Sequence, residues 1–121
     1  MLKGKIHRAT VTEADLDYMG SLTLDEDLMD AVGLNEYEKI HVLDITNGSR
    51  IETYIIRGKR GSGQVCINGA AAHLIHEGDL VIIVSYCQLS DAEFMNHHPK
   101  IIYVDSNNRI LSTSTEENIL A

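Results

Sequence analysis

The sequence predicts a mostly β protein, a small barrel carrying short helices. Strand-like runs dominate a compact chain, and the helical stretches are too short for the crossovers a parallel α/β sheet needs. In addition, a helix–glycine turn–strand pattern from Leu28 to Ile45 recurs in Ala70 to Ile75, Gly78-Asp79 and Leu80 to Val84, about forty residues later. Two related halves closing on each other fit that repeat.

The elements follow in chain order. Lys5 to Val11 is β-rich. Asp25 can cap a helix through Leu28, Met29 and Val32, which Gly33 stops. Lys39 to Thr46 and Ile51 to Ile56 are strand-like, and Asn47-Gly48 between them signals a type I′ hairpin. Gly61-Ser62-Gly63 reads as a hairpin turn before the strand Gln64 to Ile67, since it lacks the frame of a phosphate loop. Ala70 to Ile75 reads as a helix after the Asn68-Gly69 turn, and Leu80 to Tyr86 as the most apolar strand. Ser90-Asp91-Ala92-Glu93 has the form of a capping box, with Pro99 beyond the helix end and a strand from Ile101 to Val104. Residues 107 to 121 form a polar tail expected to fray, Ile110-Leu111 excepted.

The 121 residues make a single domain, 1–121, with 44% apolar and 23% charged residues. Ten basic against eighteen acidic side chains give a net charge of −8, which repels phosphate backbones and argues against nucleic acid. The longest apolar run, Leu80 to Val84, is far short of the ~20 residues of a membrane span. No apolar stretch follows Met1-Leu2-Lys3-Gly4-Lys5, so a cytoplasmic protein is expected. Cys66 and Cys87 lie in apolar runs and read as core thiols. His73 and His76, three apart, and the adjacent His97-His98 read as surface histidines, and no metal site is expected. Asp25-Glu26-Asp27 suits a helix N-terminus.

Six motifs, in order and spacing, carry a resemblance. They are Gly4-Lys5-Ile6-His7-Arg8, Tyr18-Met19-Gly20-Ser21, Thr46-Asn47-Gly48-Ser49-Arg50, Thr53-Tyr54, Asn68-Gly69-Ala70-Ala71-Ala72 and Gly78-Asp79-Leu80-Val81-Ile82-Ile83. Over residues 3 to 105 the chain resembles the pyruvoyl-dependent aspartate decarboxylase family. The resemblance implies a six-stranded double-psi β-barrel with short helices, assembled as a homotetramer. It also implies a chain that cleaves itself into 1–20 and 21–121, and it leaves room for a maturation factor.

On that resemblance, Ser21 Oγ attacks the Gly20 carbonyl, and Gly20 supplies the strained backbone such an attack needs. Thr53 is tied to the oxyanion of this step. Elimination and hydrolysis would leave a covalently bound pyruvoyl group at position 21, which forms a Schiff base with L-aspartate and draws electrons as its α-carboxylate leaves. Tyr54 would be the proton donor. Lys5 and Arg50 would bind the substrate, with Arg50 on the retained carboxylate, because an ion pair to the leaving one would slow its loss. Asn68, Gly69, Ala70 and Ala71 would position Ser21 and the substrate. On a regular strand Arg50 and Tyr54 share a face and Thr53 does not, so one site using all three needs the strand to bulge, end or meet another subunit near Thr53. The rival reading is a non-enzymatic double-psi barrel used for binding or assembly. A DNA-binding barrel is disfavoured by the charge.

Overall fold

Apolar residues that alternate with polar ones along the strands set one buried face, and the sheet closes over it. In a computed structural model the described residues are 1–18 and 20–114. Nine strands occur among them: β1 Leu2–Thr10, β2 Glu13–Asp15, β3 Ser21–Asp25, β4 Lys39–Asp44, β5 Arg50–Gly58, β6 Val65–Asn68, β7 Leu80–Tyr86, β8 Lys100–Val104 and β9 Ile110–Ser114. They form one mixed sheet in the order β2-β6-β3-β5-β4-β7-β1-β8-β9, consistent with a double-psi β-barrel. Ile6, Leu22, Ile40, Ile55, Ile67 and Ile83, all fully buried, are among the residues of its core.

The strand count exceeds the six expected, and each addition has a physical reason. β2, Glu13-Ala14-Asp15, is three residues paired with β6, too short to show alternation. β3 alternates polar and apolar residues over only five positions, Ser21 to Asp25, and runs straight into the capped start of the helix at Glu26. β9 falls in the tail that was expected to fray. It is instead ordered by antiparallel pairing with β8, from Ile101↔Ser114 to Val104↔Ile110. Residues 115–121 of that tail lie outside the described residues.

Helix α1, Glu26–Val32, begins where Asp25 Oδ1 accepts the Asp27 amide at 2.8 Å and stops at Gly33, left-handed at φ 70°. The same Asp25 carboxylate accepts the amides of Gly61 and Gly63, tying the 61–63 turn to the helix start. Helix α2, Asp91–Phe94, carries both bonds of the Ser90–Glu93 capping box. The helix expected over Ala70–Ile75 is instead a 3-10 turn, Gly69–His73. Ala72 and Ile75 are its inward residues, and a spacing of three is what a 3-10 turn aligns on one side.

The repeat is real in three dimensions. Each half runs strand, helical turn, strand: β3–α1–β4 and β6–3-10–β7. Equivalent strands pair antiparallel, β3 with β6 and β4 with β7.

The β4–β5 connection is wider than the two-residue type I′ turn that Asn47-Gly48 suggested. Gly48 alone is left-handed there, at φ 81°. Asp44 is the cause. Its Oδ1 accepts the amides of Thr46 and Asn47, and its carbonyl accepts that of Gly48, so the chain curls as one helical turn. Asp44 Oδ2 is buried without a hydrogen-bond donor among the described residues. Burial, together with the neighbouring Asp79 carboxyl, pushes Asp44 above the usual carboxylate range. Asp79, held chiefly by its contact with Asp44 and by the His76 amide, lies below it.

The two groups therefore act in opposite directions with pH. Asp79 loses its contribution as pH falls through its lowered value, while Asp44 loses its own as pH rises through its raised value. Asp44→Asn keeps the acceptor for Thr46 and Asn47 and replaces the shared proton with an amide donor. In urea titrations the stability of the wild type relative to Asp44→Asn should fall as pH rises from about 4 towards neutrality. Parallel pH profiles for the two would show that no proton is shared.

Candidate active site

The antiparallel pairing of β3 with β6 sets Ser21 directly opposite Asn68. Both side chains are buried, Ser21 at 1% exposure and Asn68 at 3%. Asn68 Nδ2 donates to Ser21 Oγ at 3.1 Å and to Thr23 Oγ1 at 2.9 Å. The hydroxyl singled out from sequence is thus gripped by the amide singled out from sequence, across 47 residues.

Gly20 is an exposed bend just before β3. Leaving aside its chain neighbours, a Cβ built on it would meet nothing within 4 Å. The steric demand sits on the other side of the contact, at Gly69. There φ is 73°, and a Cβ would lie 2.7 Å from Gly20 Cα, 2.8 Å from Gly20 N and 3.0 Å from Tyr18 O. Glycine is required at 69 so that the segment entering Ser21 can lie against it. Ala70 is exposed and Ala71 half-buried on the same 3-10 turn, whose Ala71 carbonyl accepts the amides of Leu74 and Ile75.

Arg50, Thr53 and Tyr54 all lie on β5, and the strand does not bulge. Its ladder with β4 runs unbroken from Leu43↔Arg50 to Lys39↔Tyr54. Thr53 lies opposite Ile40, a core residue, so it faces inward, whereas Arg50 and Tyr54 face outward. Nor does the strand end near Thr53: β5 runs on to Gly58, and Ile55 still bonds to Glu38 and Tyr37 on the β4 side. From Ile55 onward β5 pairs in parallel with β3, beginning at Leu22↔Ile55. Continued backwards, that register sets Ser21 beside Tyr54 and Gly20 beside Thr53. Two residues on opposite faces of one strand can therefore address two neighbouring atoms of one peptide bond.

Lys5 stands apart. On β1 it pairs with Val84 of β7, which pairs with His41 of β4, which pairs with Glu52 of β5. Lys5 consequently shares the outer face with Arg50 and Tyr54, but its strand is three spacings from β5, roughly 14 Å. Among the described residues neither Lys5 nor Arg50 forms a salt bridge, whereas Glu52 beside them is taken by Lys39 at 3.1 Å and faces His41 at 3.4 Å.

Sequence reasoning missed the cleft next to Ser21. About 330 Å³ in volume, it is lined by Glu13, Asp15, Tyr18, Thr23, Ile56, Arg57, Gln64, Cys66 and Asn68. Cys66 is buried, as expected of a core thiol, yet it faces this cleft, with Sγ 3.2 Å from Asn68 Oδ1 and 3.4 Å from Glu13 Oε2, two acceptors for its one proton. Burial, with Glu13 and Asp15 nearby, pushes its thiol up to about 12. The only sequence signal was its place two residues before Asn68, on the same side of the strand.

Comparison with known proteins agrees with this geometry. The family model described as aspartate decarboxylase matches residues 1–111. The aspartate 1-decarboxylase of Caldicellulosiruptor saccharolyticus is 57% identical over 117 residues, 97% of this chain and 91% of the relative. That of Corynebacterium efficiens is 60% identical over 116 residues, 96% of this chain and 85% of its own. That of Neisseria meningitidis is 61% identical over 110 residues, 91% and 87% respectively.

Gly69→Ala tests the contact on which this site is built. A left-handed alanine costs about 1–2 kcal/mol, and the clash with Gly20 adds to it. The variant should unfold at clearly lower urea concentration and be cut faster by protease near Tyr18. An unchanged midpoint and digestion pattern would mean that the 18–20 segment does not depend on Gly69.

Proposed function

The chain belongs to the aspartate decarboxylase family, and on that premise we propose how its residues carry out the reaction, the loss of the α-carboxylate of L-aspartate to leave β-alanine. The observation that carries the reading is the buried Ser21 hydroxyl held by Asn68 at the Gly20–Ser21 junction. It makes the chain its own first substrate.

Ser21 Oγ attacks the Gly20 carbonyl carbon, and the amide becomes an ester as the Ser21 nitrogen leaves. Thr53, beside Gly20 in register, donates to the oxyanion. Elimination across Cα–Cβ of residue 21 then breaks the ester, giving fragments 1–20 and 21–121. Water replaces the nitrogen of residue 21, ammonia departs, and a pyruvoyl group remains. The residues present suit such a group: position 21 is enclosed, and the Asn68 amide beside it is a donor for a carbonyl oxygen. Bound there, the group supplies an electrophilic carbonyl that takes the substrate amine and withdraws electrons from the bond to the α-carboxylate.

The remaining work belongs to side chains on the outer face. Tyr54, alongside residue 21, delivers the proton that replaces the lost carboxylate. Arg50 holds the retained carboxylate in a bidentate fork, which orients the substrate without stabilising the carboxylate that must leave. Lys5 stands three strands from Arg50 in one chain, and in the proposed homotetramer Lys5 of one chain would complete the site of the next. β-Alanine made this way feeds pantothenate biosynthesis, and the cytoplasm is the proposed setting. No helix among the described residues is long and apolar enough to cross a membrane.

Ser21→Ala removes the attacking oxygen but leaves a side chain that fits. Intact mass should show one 121-residue chain and an assay no β-alanine. Two fragments from that variant would overturn the self-cleavage reading. Tyr54→Phe should cleave normally yet turn over at least about a hundredfold more slowly, the usual cost of losing a positioned acid. Wild-type turnover by fully cleaved Tyr54→Phe would remove Tyr54 from the mechanism.

A further inference from the structure

We propose that Lys39 is a positioning residue for substrate binding: it takes up the Glu52 carboxylate and so leaves the Arg50 guanidinium for the retained carboxylate of aspartate. The inference deepens the reading above and rests on Arg50 as the cation that meets the substrate.

Strand β5 sets a competitor beside its own binding group. Arg50, Glu52 and Tyr54 alternate with the inward Ile51 and Thr53, which lie opposite the core residues Val42 and Ile40, so all three stand on the outer face. Residues two apart on a strand are about 7 Å apart, within the joint reach of an arginine and a glutamate. Opposite Arg50 stands Leu43, which has no charge to offer. Among the outward residues of this β4–β5 ladder, Glu52 is the one carboxylate. Paired with Arg50, it would fill the guanidinium with the same chemical group that the substrate brings.

The facing strand prevents that pairing. His41 lies directly across from Glu52, and Lys39 lies diagonally across from it, opposite Tyr54. Lys39 Nζ is 3.1 Å from Glu52 Oε2 and His41 Nε2 is 3.4 Å from Oε1, so each carboxylate oxygen has its own neighbour on β4. The edge-to-face contact with Tyr86, 5.2 Å between ring centroids, packs the imidazole in place. The bond and charge of Lys39 hold the Glu52 carboxyl below the usual range, so it is ionised at neutral pH and must have a cation. As an exposed pair, Lys39–Glu52 adds little stability. Its consequence falls on Arg50, two residues along.

The test separates a charge that occupies Glu52 from one that attracts the substrate itself. Lys39→Met keeps length without charge, Lys39→Arg keeps the charge, and the double variant Lys39→Met with Glu52→Gln removes both partners. Each chain is checked for complete cleavage by intact mass, and β-alanine formation is then measured at low ionic strength, where exposed charges act most strongly. Lys39→Met should raise KM for aspartate roughly three- to fivefold with kcat within about twofold, the scale of one exposed ion pair. Lys39→Arg and the double variant should both stay within about twofold of the wild-type KM. A wild-type KM in Lys39→Met, or a fall in kcat alone, would overturn the inference. So would a double variant as weak as Lys39→Met, since Lys39 would then be acting on aspartate directly. Arg50→Ala is the control for the premise and should raise KM at least about tenfold, the effect of a lost charged hydrogen bond. If Arg50→Ala keeps the wild-type KM, the assignment of Arg50 falls and this inference with it. A weakened Arg50→Ala beside an unaffected Lys39→Met removes only the inference.

Discussion

The hydrogen bonds from the Asn68 amide to Ser21 and Thr23 are the constraint on which the site depends. A buried polar group left without a partner costs about 1–3 kcal/mol, so Asn68 cannot sit at the end of β6 unless β3 presents hydroxyls to it. β3 does so in one register only. A slip of one residue would set Leu22 against Asn68 and turn the core-facing leucines outward. The apolar face of β3 and the polar demand of Asn68 therefore select the same alignment. Gly69 then makes room for the chain entering Ser21, so the Gly20–Ser21 junction lies where the two halves of the repeat meet.

Charge is arranged with similar economy. In a chain of net charge −8, an anionic substrate needs local cations that are not already engaged. Arg60 is surrounded by Glu26, Asp27 and Asp30, Arg57 by Glu26, and Lys3 by Glu38. These pairs brace α1 and the strand ends but leave little attraction for a ligand. Lys5 and Arg50 form no salt bridge among the described residues, and both stand on the outer face of the sheet. Exposed pairs of the first kind add little stability. Their effect is to leave the outer face as the place where an aspartate would meet positive charge.

Much of this was legible along the chain because it depends on local chemistry. Asp25, Gly33 and the Ser90–Glu93 box announced the helix ends, and the six apolar runs announced six of the nine strands. The failures share a cause. β2 and β9 form because another strand offers them hydrogen bonds, and the alternation in β3 spans only five residues before a helix. The Asn47-Gly48 turn is wider than its dipeptide suggests because the Asp44 carboxylate competes for the turn amides. Cys66 was read as a core thiol, and only the β3–β6 pairing and the cleft reveal its second contact.

The sequence by itself determined a mostly β chain with two related halves, and its six ordered motifs name the candidate site residues Lys5, Gly20, Ser21, Arg50, Thr53, Tyr54 and the Asn68–Ala71 turn. What only the tertiary structure decided is which of them meet. Strand pairing brings Ser21 to Asn68 and starts the parallel β3–β5 register one residue on, at Leu22↔Ile55. It sets a glycine requirement at Gly69, and it keeps Lys5 three strands away. The physical reason is that a motif specifies donors, acceptors and charges, whereas distance between them is set by strand register, which neighbouring strands fix together.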